Sequence, residues 1–395
     1  MNSNKEGLKK DKNGRRIGVD KVCWAVFFST IIIFFLRGIT LSEYHNFRGE
    51  FNLSTMVDGN VYKDSRGLSD IGLLANLGLG MRSKISRHTF TRLDYRLDVS
   101  NFFTYNLENE ASHLLDGRIK QRLSDLFDVE LNAGISMSQM PKAAVYNSSG
   151  FYAEPSLNWY IFDYTKITGG YIYNKTMYPS YNLDNETTGR QVKLGQELSL
   201  YTYIEISGVI QNKNYPERYL YSGIDAGSPT YKTDLRKDAE NFVELIFSQN
   251  ITAKSGFDLI YYSGKLESNE NYFDCGPKQS EWENTITGDE RIIENYRSYT
   301  TDKYGMNIFT GLDEDARLFL QCSYSTRDYA GRLAKDENDA IRRPEVKRQD
   351  TQVVVSASYL IDTFILRYTY EINNSNDALY NYTSSILSAG IRHLF

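Results

Sequence analysis

At 395 residues, with 45 Lys and Arg against 50 Asp and Glu, the chain carries a formal net charge of −5 and makes no case for nucleic acid, which wants a concentrated basic face. Its mean hydropathy is negative, which excludes a bundle of membrane-spanning helices but not a β-barrel, where only alternate residues meet lipid. The length allows two or three ordinary domains or one large barrel, and the composition is rich in Tyr (31) and poor in Pro (7).

Residues 1–21 hold seven Lys or Arg, and 22–36 are fifteen uncharged, mostly apolar residues. A basic stretch before a short apolar core predicts a secretory signal peptide over 1–42, cut after Ser42 with Thr40 three residues from the bond. The competing reading, an uncleaved anchor, is disfavoured because a spanning helix needs roughly 20 residues. Cys23 lies at the start of the apolar core rather than after it and is not placed as a lipobox cysteine. The rest, 43–395, is predicted to be one domain working outside the cytoplasm.

From Phe47 the hydrophobic period is two. Phe47, Gly49, Phe51, Leu53, Thr55 and Val57 alternate with polar residues, and 58–69 reads as a polar loop. Ile71, Leu73, Ala75, Leu77, Leu79 and Met81 form the next apolar face, followed by a turn at 83–87. The third strand sets Thr89, Thr91, Leu93, Tyr95, Leu97 and Val99 against Arg92, Asp94, Arg96 and Asp98. Soluble strands rarely sustain such alternation over eleven residues.

The pattern then repeats as strand, short turn, strand, longer loop. Strands are predicted at 111–123 and 126–137, 151–162 and 166–174, 190–201 and 203–213, and 239–248 and 256–265. Further strands follow at 299–311 and 317–327, 350–360 and 364–373, with a closing strand at 383–395. A loop of about 23 residues carries Pro216 and Pro229, and the longest connection, of about 30, contains Cys275, Pro277 and Trp282. The total is about sixteen strands, within a range of fourteen to eighteen.

Every second connection is short and the others are mostly longer and polar, which matches the short periplasmic turns and long external loops of bacterial barrels. Six of the seven prolines fall in the longer connections, where no ladder hydrogen bond is lost, and Pro155 alone sits inside a strand, predicting a bulge or a displaced boundary. An even strand count places both termini on the periplasmic side. Aromatic residues recur near strand ends and suit two interfacial girdles. Phe127, Tyr164, Tyr201, Tyr203, Tyr359 and Phe364 lie toward the short turns, and Phe102, Phe103, Tyr173, Tyr261 and Tyr370 toward the loops.

Sixteen strands close to a radius that leaves an aqueous lumen, whereas eight would be filled by side chains. The predicted lumen-facing positions are charged. Arg92, Asp94, Arg96 and Asp98 on the third strand adjoin Asp116, Arg118, Lys120 and Arg122 on the fourth and Asp128 and Glu130 on the fifth. Across the barrel lie Arg317, Arg367, Glu371 and Arg392, with Arg327 and Arg348 beside them. Such ladders set ion preference and orient polar solutes, or stiffen the wall as cross-strand ion pairs.

A barrel hydrolase would need Ser or Thr activated by His, or His paired with Asp. His45, His88, His113 and His393 are scattered, His113 on a lipid-facing position, and no G-x-S-x-G, H-E-x-x-H or phosphate-cradling loop occurs. Cys275 and Cys322 are not spaced as a zinc site or a disulfide framework. The expectation is a protein that is not an enzyme, with no catalytic residue, no metal and no cofactor.

The closing stretch places Leu387, Ala389, Ile391, His393 and Phe395 on one side and Ser388, Gly390 and Arg392 on the other, together with Ile386 and Leu394. It resembles the last strand of Gram-negative outer-membrane β-barrels, whose terminal Phe and alternating apolar residues mark them for insertion. His393 stands where an apolar or aromatic residue is more usual. With the tyrosine-rich strands and the lack of a plug domain, 43–395 looks like the uncharacterised β-barrel porin families. That resemblance implies residence in the outer membrane among lipids and lipopolysaccharide, periplasmic chaperones and the barrel assembly machinery as partners, and Phe395 as the insertion signal. It also implies a porin-like channel for ions or small polar solutes. The alternatives are a component of exopolysaccharide export and a surface adhesin or structural barrel with a blocked lumen. The oligomeric state is not legible.

Overall fold

The computed structural model describes residues 44–63, 65–143, 146–179, 184–225, 228–269, 298–313, 315–338 and 340–394. The predicted signal peptide, Phe395, Cys23, Cys275, Pro277 and Trp282 lie outside them.

Alternation of apolar and polar residues drives the chain into sixteen strands, each hydrogen-bonded to the next in sequence. They are β1 (Tyr44–Asp58), β2 (Asp70–Lys84), β3 (Thr89–Phe102), β4 (Glu110–Arg122), β5 (Phe127–Gln139), β6 (Ser148–Phe162), β7 (Thr165–Met177) and β8 (Asn185–Ser199). The second half is β9 (Thr202–Asp225), β10 (Ser228–Thr252), β11 (Ser255–Ser268), β12 (Tyr299–Gly311), β13 (Ala316–Leu333), β14 (Lys347–Ile361), β15 (Phe364–Ser375) and β16 (Tyr382–Leu394). β1 pairs antiparallel with β16, so the sheet closes into an up-and-down barrel. Closure leaves the barrel wall without an open edge and pairs backbone groups that lipid could not satisfy.

The register separates two faces. One row runs Phe47, Met81, Leu93, Gly117, Ala133, Ala153 across β1 to β6, and the row beside it runs Arg48, Gly80, Asp94, Asp116, Gly134, Tyr152. The cavities described below lie on the Arg48 face and span six consecutive strands, so that face is the inside. The outer face carries the exposed apolar side chains, such as Phe47 (70 %), Val192 (60 %) and Ile210 (64 %). Such a surface is stable in hydrocarbon and not in water, and it makes this a transmembrane antiparallel β-barrel. Outward aromatics cluster near both rims. Phe127 stacks on Trp159 at 6.1 Å near the short turns, and Tyr304 lies between Tyr261 (5.1 Å) and Tyr324 (6.4 Å) nearer the loops. His113 also faces outward and hydrogen-bonds Tyr95 at 2.9 Å.

The connections on one rim, 85–88, 123–126, 163–164, 200–201, 253–254, 312–315 and 362–363, have two to four residues. The opposite rim carries the long ones, with one departure from the sequence reading. The 23-residue loop with Pro216 and Pro229 is instead a β-hairpin, because β9 and β10 run for 24 and 25 residues and pair with each other as far as Asp225 and Ser228. β8 pairs with β9 only as far as Asn214, and β11 with β10 only as far as Asp238, so the hairpin projects as a two-stranded ribbon. A ribbon with two open edges tolerates proline because a missing N–H on an open edge breaks no ladder.

Three smaller expectations also change. Pro155 lies inside β6 with neither a bulge nor a boundary there, since β6 and β7 keep one register on either side of it and merely skip the pairs at 154 and 155. Pro155 is on the outer face. Tyr203 and Phe102 leave the predicted girdles. Tyr203 belongs to the inner face because the turn sits at 200–201, and its hydroxyl donates to Glu205 at 2.7 Å; Phe102 falls on the inner row opposite Gly72.

Candidate functional site on the inner face

A cavity of about 900 Å³ is cradled by β15, β16 and β1 to β4. Arg92, Asp94, Arg96, Asp98, Asp116, Arg367 and Arg392 converge there with Arg48 and Glu50. Arg392 donates from two nitrogens to the two oxygens of Glu50, both at 3.0 Å, across the β16–β1 seam. Asp94 is shared by Arg92 and by Arg48, the latter at 3.3 Å. Asn76 donates to Asp98 at 2.7 Å, and the Tyr152 hydroxyl donates to Asp116. Every carboxylate of this cavity therefore has a donor. Among the described residues, Arg96 and Arg367 make no ion pair or hydrogen bond, and both are exposed to the cavity.

A second cavity, about 510 Å³, lies closer to the short turns and is lined by Arg82, Lys84, Phe90, Arg92, Arg118 and Lys120. Glu130 accepts from Arg118 at 2.5 Å, and Asp128 pairs with Lys120 at 2.7 Å. Asp128 is buried and also accepts from Asn158 (2.5 Å) and Tyr160 (2.8 Å). Arg122 stands apart from this group: it folds down onto the turn, pairing with Asp125 at 2.9 Å. Arg317 is exposed at the start of β13, opposite Leu360.

Around the ring from β2 and β3, the wall of β9 to β11 differs in character. Glu205, Glu240, Glu244 and Asp258 share its inner rows with Phe242 and Tyr262, whose rings are 5.1 Å apart. Phe309 and Phe319 oppose one another on the inner face of β12 and β13. The interior thus has an arginine-rich wall and an acidic, aromatic wall.

The loop end is built on Arg348. It is buried, donates twice to Asp350 (2.9 and 2.7 Å), and lies over the rings of Tyr380 (3.4 Å) and Tyr329 (4.7 Å). Arg332 covers the Tyr380 ring at 4.8 Å and approaches Asp377 at 3.9 Å. Arg327 lies over Tyr299 at 4.5 Å. The contacts to Tyr380 and Asp377 fasten the loop 376–381 to the rim, and Lys63 in the loop 59–69 pairs with Glu371. Glu371 is therefore buried in a loop anchor that includes Gln352 (2.7 Å) and Tyr382 (2.6 Å), apart from both cavities.

Arg48, Glu50, Arg82 and Lys84 were not singled out from sequence, although the alternation that puts Phe47 and Met81 outside puts them inside. Ion-pair partners carry no such signal, because they depend on which strands adjoin and in which register. Among the described residues, no group of three His, Cys, Asp or Glu is placed to hold a metal ion.

No protein-family model and no curated protein matches the chain. Among solved structures it is similar to OmpT, an outer membrane protein of Vibrio cholerae, at 10% identity over 89% of this chain and 97% of that one, with a TM-score of 0.44. It is also similar to OccAB3 of Acinetobacter baumannii, at 8% identity over 89% of this chain and 100% of that one, with a TM-score of 0.44. A bacterial polysaccharide outer membrane secretin gives 8% identity over 88% and 98%, with a TM-score of 0.43. At such identities, and with TM-scores below one half, these likenesses transfer neither solute nor activity to this chain.

Proposed function

We propose that the protein is a porin-like channel in the outer membrane of a Gram-negative bacterium, passing ions or small polar solutes down their gradients. One observation carries the reading: a charged inner face with cavities sits inside an apolar outer face. A barrel of this strand number is too wide for its own side chains to fill. Arg92, Asp94, Arg96, Asp98, Asp116, Arg118, Lys120, Arg367 and Arg392 then line the pathway, with Arg122 and Arg317 at its short-turn mouth. In this reading 1–42 directs export, and β16 with Phe395 engages the assembly machinery. Outer-membrane lipids and lipopolysaccharide surround the barrel.

The test is single-channel conductance of the refolded chain in a planar bilayer under a salt gradient. A steady conductance step is expected, and replacing Arg96 and Arg367 together by Gln should move the reversal potential toward cation preference. Electrical silence from a verifiably folded barrel would overturn the reading. Glycan export is a second reading, favoured by Phe242, Tyr262, Phe309 and Phe319 on the inner face, since aromatic rings stack on sugars. Current block by neutral oligosaccharides that spares salt conductance would select it.

A further inference from the structure

Arg82, Arg92 and Arg118 stand directly opposite one another on β2, β3 and β4, three arginines abreast on the inner face. In the next row toward the short turns, Lys84, Phe90 and Lys120 oppose one another. Opposed side chains start from Cβ atoms about 4.5–5.5 Å apart, and like charges so placed repel. The carboxylates within reach are already engaged: Asp94 is shared by Arg48 and Arg92, Glu130 holds Arg118, and Asp128 holds Lys120. Arg82 is exposed and makes no ion pair or hydrogen bond among the described residues, and no acidic residue lines the cavity of about 510 Å³ above the row. The fold therefore holds together like charges that its own acids leave partly uncompensated.

We infer that this row is a binding site for a multivalent oxyanion, a solute carrying phosphate or carboxylate groups close together. Planar guanidinium groups match such oxygens with paired N–H donors, and three in line offer more donors than one monovalent ion can use. The cavity volume lies within the range of small-molecule sites. Phe90, flanked by Lys84 with the ammonium 5.7 Å from its ring centroid, gives the site an apolar edge for the carbon skeleton of an organic anion. The position near the short turns puts the site at one mouth of the lumen. The inference deepens the channel reading, naming a solute class for the same inner face, and rests on it only in taking that face to be wet.

The experiment is isothermal calorimetry of the full chain, refolded in a neutral detergent, titrated with sodium pyrophosphate. It needs no current, so an occluded lumen and an absent site give different results. Wild type should bind with a stoichiometry of one, less tightly as salt rises, and should ignore the neutral disaccharide cellobiose. Arg82→Gln should weaken binding at least about tenfold, the scale of one lost charge-assisted contact. Arg82→Lys should restore part of the affinity, and Lys265→Gln, the same charge change on the outer face, should leave it unaltered. Heat absent in the folded wild type, or equal affinity in wild type and Arg82→Gln, would overturn the proposal. If Arg82→Gln does not fold, the wild-type titration and the Arg82→Lys comparison still decide it.

Discussion

Tyr152 lies across Gly134 on the neighbouring strand to reach Asp116 on the strand beyond, three residues of one row acting together. A Cβ at position 134 would sit 2.7 Å from the Leu115 carbonyl oxygen and against the Tyr152 ring, so only glycine lets the ring lie there. Gly134→Val should cost about 1–3 kcal/mol of overpacking, and Tyr152→Phe only about 1 kcal/mol for its lost hydrogen bond. Urea titration in lipid vesicles distinguishes the two. At the loop end, Arg348→Ala should be far more damaging. It leaves the Asp350 carboxylate buried without its guanidinium, a loss of about 3–5 kcal/mol for a broken buried pair. The same titration measures it, and faster proteolysis within 376–381 should accompany it as Tyr380 loses the guanidinium that its ring packs against. The alternation in sequence is enough to place Arg92, Arg96 or Arg348 on the inner face. It does not reveal that Arg92 is paired while Arg96 is not, because the partner sits on another strand in a register set by turns.

For the elements, legibility follows the lipid. Strands whose outer face meets hydrocarbon must show apolar residues at every second position, and β3 or β5 can be read residue by residue. The projecting parts of β9 and β10 meet no hydrocarbon, so nothing enforces a period of two there, and Pro216 and Pro229 disguise them further as loop. Tyr203 was misplaced for a related reason: β9 starts at Thr202, so Tyr203 lies within the strand on the inner row, and a slip of a single residue at a turn is enough to change the face a ring occupies. Because the ribbon pairs with neither β8 nor β11, replacing 216–235 by Asn-Gly, a favoured two-residue hairpin turn, should leave the barrel intact. The expected result is an unchanged shift in gel mobility on heating and a melting temperature within about 3 °C of wild type, consistent with surface changes away from the core.

For the whole molecule, the seam between β1 and β16 decides whether the sheet is a barrel. Its pairs, such as Glu50 with Leu394 and Ser54 with Gly390, join residues from opposite ends of the described chain. Contacts so remote form slowly, since the loop-closure entropy must be met before they contribute. Gly390 allows the two backbones to meet: a Cβ there would collide with the Leu53 carbonyl and the Ser54 backbone. Gly390→Val should therefore lower the yield of closed barrel several-fold more than Gly169→Val, where a Cβ would meet nothing within 4 Å; unheated gel mobility counts the closed fraction. The seam has a further consequence. Tyr44 and Leu394 lie toward the same rim on adjoining strands, so the order of the strands around the wall is a cycle, and the peptide merely happens to be cut between two of its members. A chain joined across that cut and reopened at 362–363 would trace the same wall from a different origin, with every strand keeping both of its neighbours.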